Sequence, residues 1–130
     1  MWVKLICHGR CLTAIEGDKP VYVKGCTELP ADQQDSQLWN SDRGFWVNKK
    51  TAHVLAVKND RLKDGESAVQ APRRMIPNAV SQRWDTNGRF IQLRNKKDLV
   101  LTVDNETGSI SIRKPAQDDD ANQQWEQVER

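Results

Sequence analysis

A three-residue pattern, glutamine then any residue then tryptophan, occurs three times along this chain of 130 residues. The copies are Gln37-Leu38-Trp39, Gln82-Arg83-Trp84 and Gln123-Gln124-Trp125. Their tryptophans stand at positions 39, 84 and 125, at intervals of 45 and 41 residues. A regular interval of this size that fills a chain is typical of folds built from repeated units. The triplets therefore constrain the fold more than any other feature of the sequence.

Three repeats follow from this spacing, at about residues 1–42, 43–86 and 87–130 of a single domain. Each repeat holds four short β-like stretches, of which Val54-Leu55-Ala56-Val57 is typical, and its triplet is interpreted as the fourth strand. Helical periodicity is not sustained over three turns anywhere in the sequence. Short strands with turn signals about every ten residues predict an all-β barrel or sandwich. Threefold repetition of four strands favours a threefold arrangement over a two-sheet sandwich.

Composition excludes several classes of function. A formal net charge of +2 does not favour binding to duplex DNA, which usually requires a strongly basic surface. No apolar stretch approaches the length that crosses a membrane. The first residues lack the apolar run of a signal peptide, so we expect a cytosolic protein or one exported by an unconventional route.

Cysteines and histidines give little support for a metal site. The histidines His8 and His53 lie far apart, and the sequence has no C-x₂-C pattern, so neither a metal nor another cofactor is expected. Cys11 and Cys26 are able to pair, which leaves Cys7 over, whereas in a reducing cytosol all three remain thiols.

The triplets and the strands before them, such as Cys11-Leu12-Thr13 and Leu99-Val100-Leu101, resemble the ricin-B-like, or R-type, lectins. The resemblance extends over all three repeats and implies the β-trefoil fold of that family. It also implies a disulfide between Cys11 and Cys26 within the first repeat. Physical chemistry gives the triplets a structural role, because tryptophans bury large apolar areas and glutamine amides are able to hold a neighbouring loop.

In this family a galactose site takes its residues from one repeat. An acidic residue on the second strand accepts hydrogen bonds from the sugar, an aromatic residue at the end of the third strand stacks on it, and an asparagine and the triplet glutamine complete the polar contacts. At these positions the present chain departs from the pattern. The acidic position holds Thr13, Ala56 and Thr102, the stacking position Lys24, Ala71 and Lys114, and the asparagine position Ser36, Ser81 and Asn122.

Only the third repeat keeps the asparagine and glutamine together, so we expect the best site there and the poorest in the second repeat. The candidate carbohydrate-binding residues are Thr102, Asp104, Lys114, Asp119, Asp120, Asn122 and Gln123 in the third repeat, and Thr13, Lys24 and Gln37 in the first. The leading hypothesis is a lectin that binds cell-surface or glycolipid glycans without catalysis. No enzyme motif such as a nucleophile elbow is visible.

Two alternatives remain open. Basic pairs at Lys49-Lys50, Arg73-Arg74 and Lys96-Lys97 indicate a binder of sulfated or phosphorylated polyanions. Loss of the acidic and aromatic positions favours instead a trefoil used for protein interaction, such as a protease inhibitor or a toxin subunit. A lectin of this size usually requires avidity, so we expect a homodimer. Strand alternation further predicts that Phe45 faces outward if Trp46 faces the core.

Overall fold

The computed structural model describes residues 1–14, 20–26, 29–117 and 120–130. These residues contain twelve short strands. The strands are β1 Val3–Cys7, β2 Arg10–Thr13, β3 Tyr22–Gly25, β4 Trp39–Asp42, β5 Phe45–Asn48, β6 Val54–Val57, β7 Ala68–Ala71, β8 Trp84–Asn87, β9 Phe90–Leu93, β10 Lys96–Val103, β11 Ile110–Arg113 and β12 Glu126–Glu129. The helical segments of the described residues are all short 3₁₀ turns, at Ala31–Gln37, Lys58–Asp60, Ile76–Asn78 and Ala121–Gln123.

Six strands, the first and fourth of each repeat, form a closed barrel. Antiparallel ladders join β4 to β5, β8 to β9 and β12 to β1, so each repeat is paired with the next around the ring. Within the repeats, Val3 pairs with Trp39, the N–H of Trp84 donates to the carbonyl of Gly44, and the N–H of Trp125 donates to the carbonyl of Arg89. Equivalent contacts thus close all three segments of the barrel.

The remaining strands form three hairpins, β2–β3, β6–β7 and β10–β11, which cap one end of the barrel. Isolated bridges connect the hairpins in a ring. They join Pro20 to Val69, Ser67 to Ser111, and Tyr22 to Ser109. A six-stranded barrel capped by three hairpins with threefold repetition is the β-trefoil, which confirms the predicted fold.

The core contains side chains from all three repeats, including Trp39, Trp84 and Trp125. These tryptophans are buried, as the sequence predicts. The Cys11–Cys26 disulfide is present and joins β2 to the residue after β3, while Cys7 is a buried free thiol. Both findings agree with the pairing implied by the family resemblance.

Two predictions about local structure are wrong. The triplet glutamines do not lie on strands; Gln37 and Gln123 end 3₁₀ turns, and the fourth strand begins at or just after the tryptophan. Phe45 does not face solvent, because its ring packs with Val54 and Ala79 in a second buried cluster. The guanidinium of Arg73 covers the same ring, with its central carbon 4.2 Å from the ring centroid.

Candidate functional site

The tryptophans of the three triplets make the same hydrogen bond. Each indole Nε1–H donates to a backbone carbonyl of the second strand of its own repeat, at Leu12, Leu55 and Leu101, with distances of 3.0, 3.1 and 3.0 Å. Buried indole N–H groups usually have such a partner. The three tryptophans therefore have a structural role.

The triplet glutamines hold the end of the third strand or the loop that follows it. Their Nε2 atoms donate to the carbonyls of Gly25, Pro72 and Lys114, at 3.3, 3.0 and 2.9 Å. The Oε1 atom of Gln82 also accepts from the backbone N–H of Arg74 at 3.0 Å, and Gln123 makes the equivalent bond to Ala116. Each glutamine thus fixes the loop in front of it, which confirms the structural role predicted for the triplets.

Thr13 and Thr102, which occupy the family's acidic position, are turned inward. Their hydroxyls donate to the carbonyls of Cys11 and Val100 and accept from the amides of Gln37 and Gln123. Thr13 has no exposed surface, so it cannot contact a ligand outside the molecule. Both hydroxyls therefore serve the interior of the fold.

The acidic residues of the third repeat are engaged in their own turns. Asp104 is exposed, and its Oδ1 accepts from the backbone N–H groups of Thr107 and Glu106, which lowers the pKa of its carboxyl. Asp120 accepts from the N–H of Asn122 and so caps the 3₁₀ turn Ala121–Gln123. These carboxylates thus accept hydrogen bonds from nearby backbone N–H groups and stabilise their own turns.

Two other predicted residues of the third repeat adjoin Gln123, because its amide donates to the carbonyl of Lys114 at 2.9 Å and Asn122 precedes it in the chain. Lys114 is exposed, and its backbone N–H donates to Asp64 at 3.2 Å. Asn122 is half-buried, and its Oδ1 has no hydrogen-bond partner among the described residues. Lys24 lies on β3 opposite Cys11, and Asp119 lies outside the described residues.

A groove of about 290 Å³ lies instead in the second repeat. Its apolar surface consists of small side chains of β6 and β7, together with Pro20 from the neighbouring repeat; the residues are Ala56, Val57, Val69 and Ala71. The volume is close to the lower end of the range of small-molecule sites, about 300–1,000 Å³. Ala56 and Ala71 stand where the family pattern has its acidic and aromatic residues, so their small side chains leave this space open.

A carboxylate held by two donors lines one side of the groove. The Oδ1 atom of Asp60 accepts from Nη1 of Arg74 at 2.8 Å and from the Ser81 hydroxyl at 2.6 Å. These two hydrogen bonds, that of Arg74 first, lower the pKa of the Asp60 carboxyl. No hydrogen bond from the described residues ends on Oδ2, so this oxygen remains available to an incoming donor.

The backbone around Asp60 is fixed in an uncommon conformation. Asn59 and Asp60 have φ angles of 56° and 57°, in the left-handed region that asparagine and aspartate adopt more readily than other residues with a Cβ. The opposite loop is held by the bond from Arg74 to Gln82 and by the N–H of Val57, which donates to the carbonyl of Ser81 at 3.1 Å. Both sides of the groove therefore have a defined backbone.

Single positions of the family pattern do not indicate this groove. The acidic position holds Ala56, whereas the carboxylate that lines the groove belongs to Asp60, four residues later. The available signal was the combination of Asn59-Asp60 in the hairpin turn with Ser81 before the triplet. Neither residue indicates a site without the fold that brings them together.

The basic pairs in the sequence are largely compensated within the protein. Lys49 lies 3.7 Å from Asp35, Lys50 donates to a backbone carbonyl at 3.1 Å, and Arg73 contacts Asp42 at 2.8 Å. Lys49, Lys50 and Arg73 are therefore engaged within the protein, whereas Lys96 has only a long contact of 3.8 Å to Asp98. No helix in the described part of the chain has both the length and the apolar character required to cross a membrane.

No protein-family model matches the chain, and no curated protein matches it either. Similar solved structures include the mdaA-1 domain, with 23% identity, a TM-score of 0.83, and coverage of 98% of this chain and 89% of that one. ThreeFoil, a designed threefold symmetric protein, has 19% identity, a TM-score of 0.77 and 98% coverage of both chains. The C-half of an earthworm R-type lectin in complex with GalNAc has 21% identity, a TM-score of 0.72, and coverage of 98% of this chain and 97% of that one. At these identities the likeness establishes the β-trefoil fold.

Proposed function

We propose that this protein is a non-catalytic, carbohydrate-binding lectin of the R-type kind that binds its sugar in the groove of the second repeat. The observation that carries the proposal is the Asp60 carboxylate, fixed by Arg74 and Ser81 beside a space of monosaccharide-like scale. A fixed carboxylate with a free oxygen is suited to accept hydrogen bonds from sugar hydroxyls. The carboxylate thus replaces the acidic residue that the family pattern places four residues earlier.

The groove would bind by polar contacts more than by stacking. Asp60 Oδ2 accepts from one or two hydroxyls, and the N–H groups of Arg74 that contact neither Asp60 nor the carbonyl of Asn78 are available as donors. Ala71 offers no aromatic face, so the contact area that a stacked ring supplies is absent from this wall of the groove. We expect weak binding by a single groove, strengthened by multivalent presentation.

Similar structures support a galactose-type ligand. One is described in complex with GalNAc, a second earthworm lectin structure with 6'-sialyllactose, and a bitter gourd protein with α-methyl-D-galactoside. We take galactose and GalNAc as the first sugars to test, because the proposed groove occupies the place of the family's galactose site.

We also propose that the protein acts as a homodimer in an oxidising compartment. The Cys11–Cys26 disulfide persists only where thiols are not kept reduced. Three exposed apolar side chains on the loop of the second repeat, Met75, Ile76 and Val80, offer a contact surface for a second copy. Light scattering that shows a monomer at high protein concentration would remove the dimer from the proposal.

A glycan array followed by calorimetry with the best sugar tests the function. We expect Asp60→Asn, which keeps the shape and removes the charge, to weaken binding by about 10- to 100-fold, the range for loss of hydrogen bonds to a charged group. Asp42→Asn is the matched control, because Asp42 also contacts an arginine at 2.8 Å but does not line the groove. Asn122→Ala tests the third repeat and should leave binding unchanged.

Equal loss of binding in the Asp60 and Asp42 variants would exclude the groove as the site. If only Asn122→Ala loses binding, the sugar site lies in the third repeat. A blank array would contradict the lectin proposal and favour the protein-interaction alternative.

A further inference from the structure

A second concave surface lies between the second and third repeats. It is an open cleft of about 620 Å³ formed by the turn 61–66, the start of β10 and the residue after β11. We refer to it as the basic cleft; its lining residues are Arg61, Leu62, Lys63, Asp64, Gly65, Glu66, Lys96 and Lys114. None of these residues belongs to the proposed sugar groove.

Positive charge exceeds negative charge in the basic cleft. Four of its lining residues are cationic and two are acidic. Both carboxylates already have donors: Asp64 accepts from the backbone N–H of Lys114, and Glu66 accepts from the N–H of Ser67. Backbone donors satisfy carboxylate oxygens without using side-chain cations, so the lysine ammonium groups remain available.

Lys63 and Lys114 make no ion pair with any residue that the structure describes. The other two cations have only long contacts, Arg61 to Glu66 and Lys96 to Asp98, both at 3.8 Å. Exposed pairs at this distance are worth little and are readily exchanged for a stronger anion. The basic cleft differs in this respect from Arg73 and Arg74, whose partners lie at 2.8 Å.

The turn that carries these charges is held against the third repeat. The N–H of Gly65 donates to the carbonyl of Ile112 at 2.7 Å, and the N–H of Ile112 donates to the carbonyl of Glu66 at 2.9 Å. Leu62 packs against the main core. The lysines therefore project from a fixed backbone, which reduces the ordering cost of binding an extended anion.

We propose that the basic cleft is a binding site for the sulfate and carboxylate groups of an acidic polysaccharide. One ammonium group on the fixed turn, that of Lys63, and two from the third repeat, those of Lys96 and Lys114, match anionic groups that recur along a chain, and an open cleft admits a chain that continues at both ends. A polynucleotide offers similar charge, but base recognition uses aromatic platforms, and the lining residues include no aromatic side chain. The site acts independently of the sugar groove.

Calorimetry with a size-defined heparin oligosaccharide tests the inference at about 50 mM salt, where exposed charges are weakly screened. The double variant Lys63→Gln/Lys114→Gln should lose roughly 30-fold in affinity, the effect of removing two cations that each face an anionic surface. Lys49→Gln/Lys50→Gln is the matched control, because it removes the same charge from a turn outside the cleft. Lys63→Arg/Lys114→Arg keeps the charge and should retain binding, which separates loss of charge from misfolding.

If the two glutamine double variants lose the same affinity for heparin, binding depends on the overall charge of the protein and the proposed site is overturned. Equal affinity for a single-stranded DNA oligonucleotide of matched charge would overturn the choice of polysaccharide. Asp60→Asn should leave heparin binding unchanged, whereas the cleft variant should leave neutral-sugar binding unchanged. Failure of either proposal is thereby distinguishable from failure of the other.

Discussion

Replacement of Trp84 by phenylalanine should destabilise the protein by about 3 kcal/mol, most of it through one hydrogen bond. The indole N–H of Trp84 donates to the carbonyl of Leu55 at 3.1 Å, and Leu55 is fully buried. Phenylalanine keeps the aromatic ring but removes this donor. The carbonyl then loses its side-chain partner in a place that water does not reach.

The magnitude has two parts. A buried polar group that loses its partner costs about 1–3 kcal/mol, and we take the middle of that range. The smaller ring leaves about 40 Å³ of space, which at about 24 cal/mol per Å³ adds about 1 kcal/mol. Because the free energy of unfolding of small domains is about 5–15 kcal/mol, a loss of this size is readily measured.

Trp46→Phe is the control, because Trp46 is buried in the same core but its indole makes no hydrogen bond with the described residues. Urea unfolding followed by circular dichroism, with the disulfide intact, should give about 1 kcal/mol for this variant. Equivalent substitutions of Trp39 and Trp125 should cost nearly as much as that of Trp84. If Trp84→Phe and Trp46→Phe cost the same, the indole hydrogen bonds do not stabilise the fold and the reasoning is refuted.

Gly44→Ala should cost about 1–2 kcal/mol in urea unfolding, because a φ of 86° strains a residue with a Cβ, while the flexible guanidinium of Arg94, 2.9 Å from the added Cβ, moves aside at little further cost. Gly9→Ala, with a φ of 69° and open space around it, should cost about as much; a much larger cost at Gly44 would contradict the assignment to backbone strain. Burial raises the pKa of the Cys7 thiol to about 11, so iodoacetamide at about pH 8 should modify it only in denaturant, as mass spectrometry will show; modification of the folded protein at the rate of a free cysteine would contradict its burial. The hydrogen bond from its arginine partner holds the pKa of Asp60 below the usual 3.8, so the stability that this carboxylate contributes is complete above 3.8 and is lost as pH falls through the lowered pKa. Thermal unfolding should show a constant difference from Asp60→Asn between neutral pH and 3.8, and convergence already at about pH 5 would contradict this.

Much of the architecture was predictable because it depends on residues that recur. Val54–Val57 is predicted as a strand and forms one, and the spacing of the tryptophans gives the threefold arrangement. The residue at which the fourth strand of each repeat begins was not predictable from the β-propensity of the triplet residues. Gln82 has to leave the strand to reach the carbonyl of Pro72, and that requirement is set by a loop ten residues earlier.

The prediction from strand alternation that Phe45 faces solvent is wrong for a similar reason. A strand next to solvent on one face should expose every second residue, but the long loop of the second repeat returns over this face. That loop places Ala79 against the ring and the guanidinium of Arg73 above it. The same loop brings Ser81 and Arg74 to Asp60. The burial of Phe45 and the groove beside Asp60 therefore both depend on the path of this loop, which local sequence patterns do not predict.

The ladder between β12 and β1 gives the molecule a property that the linear sequence conceals. Val3 stands opposite Glu129, and Ile6 opposite Glu126, in the same antiparallel manner as the strands that join the other repeats. Strands β12 and β1 are therefore paired like the two strands of a hairpin, without the turn that would join them. The three repeats form a ring that can be opened at three physically similar places. A chain relinked at this seam and opened between β4 and β5 or between β8 and β9 would retain every strand pairing, with only the position of the missing turn changed.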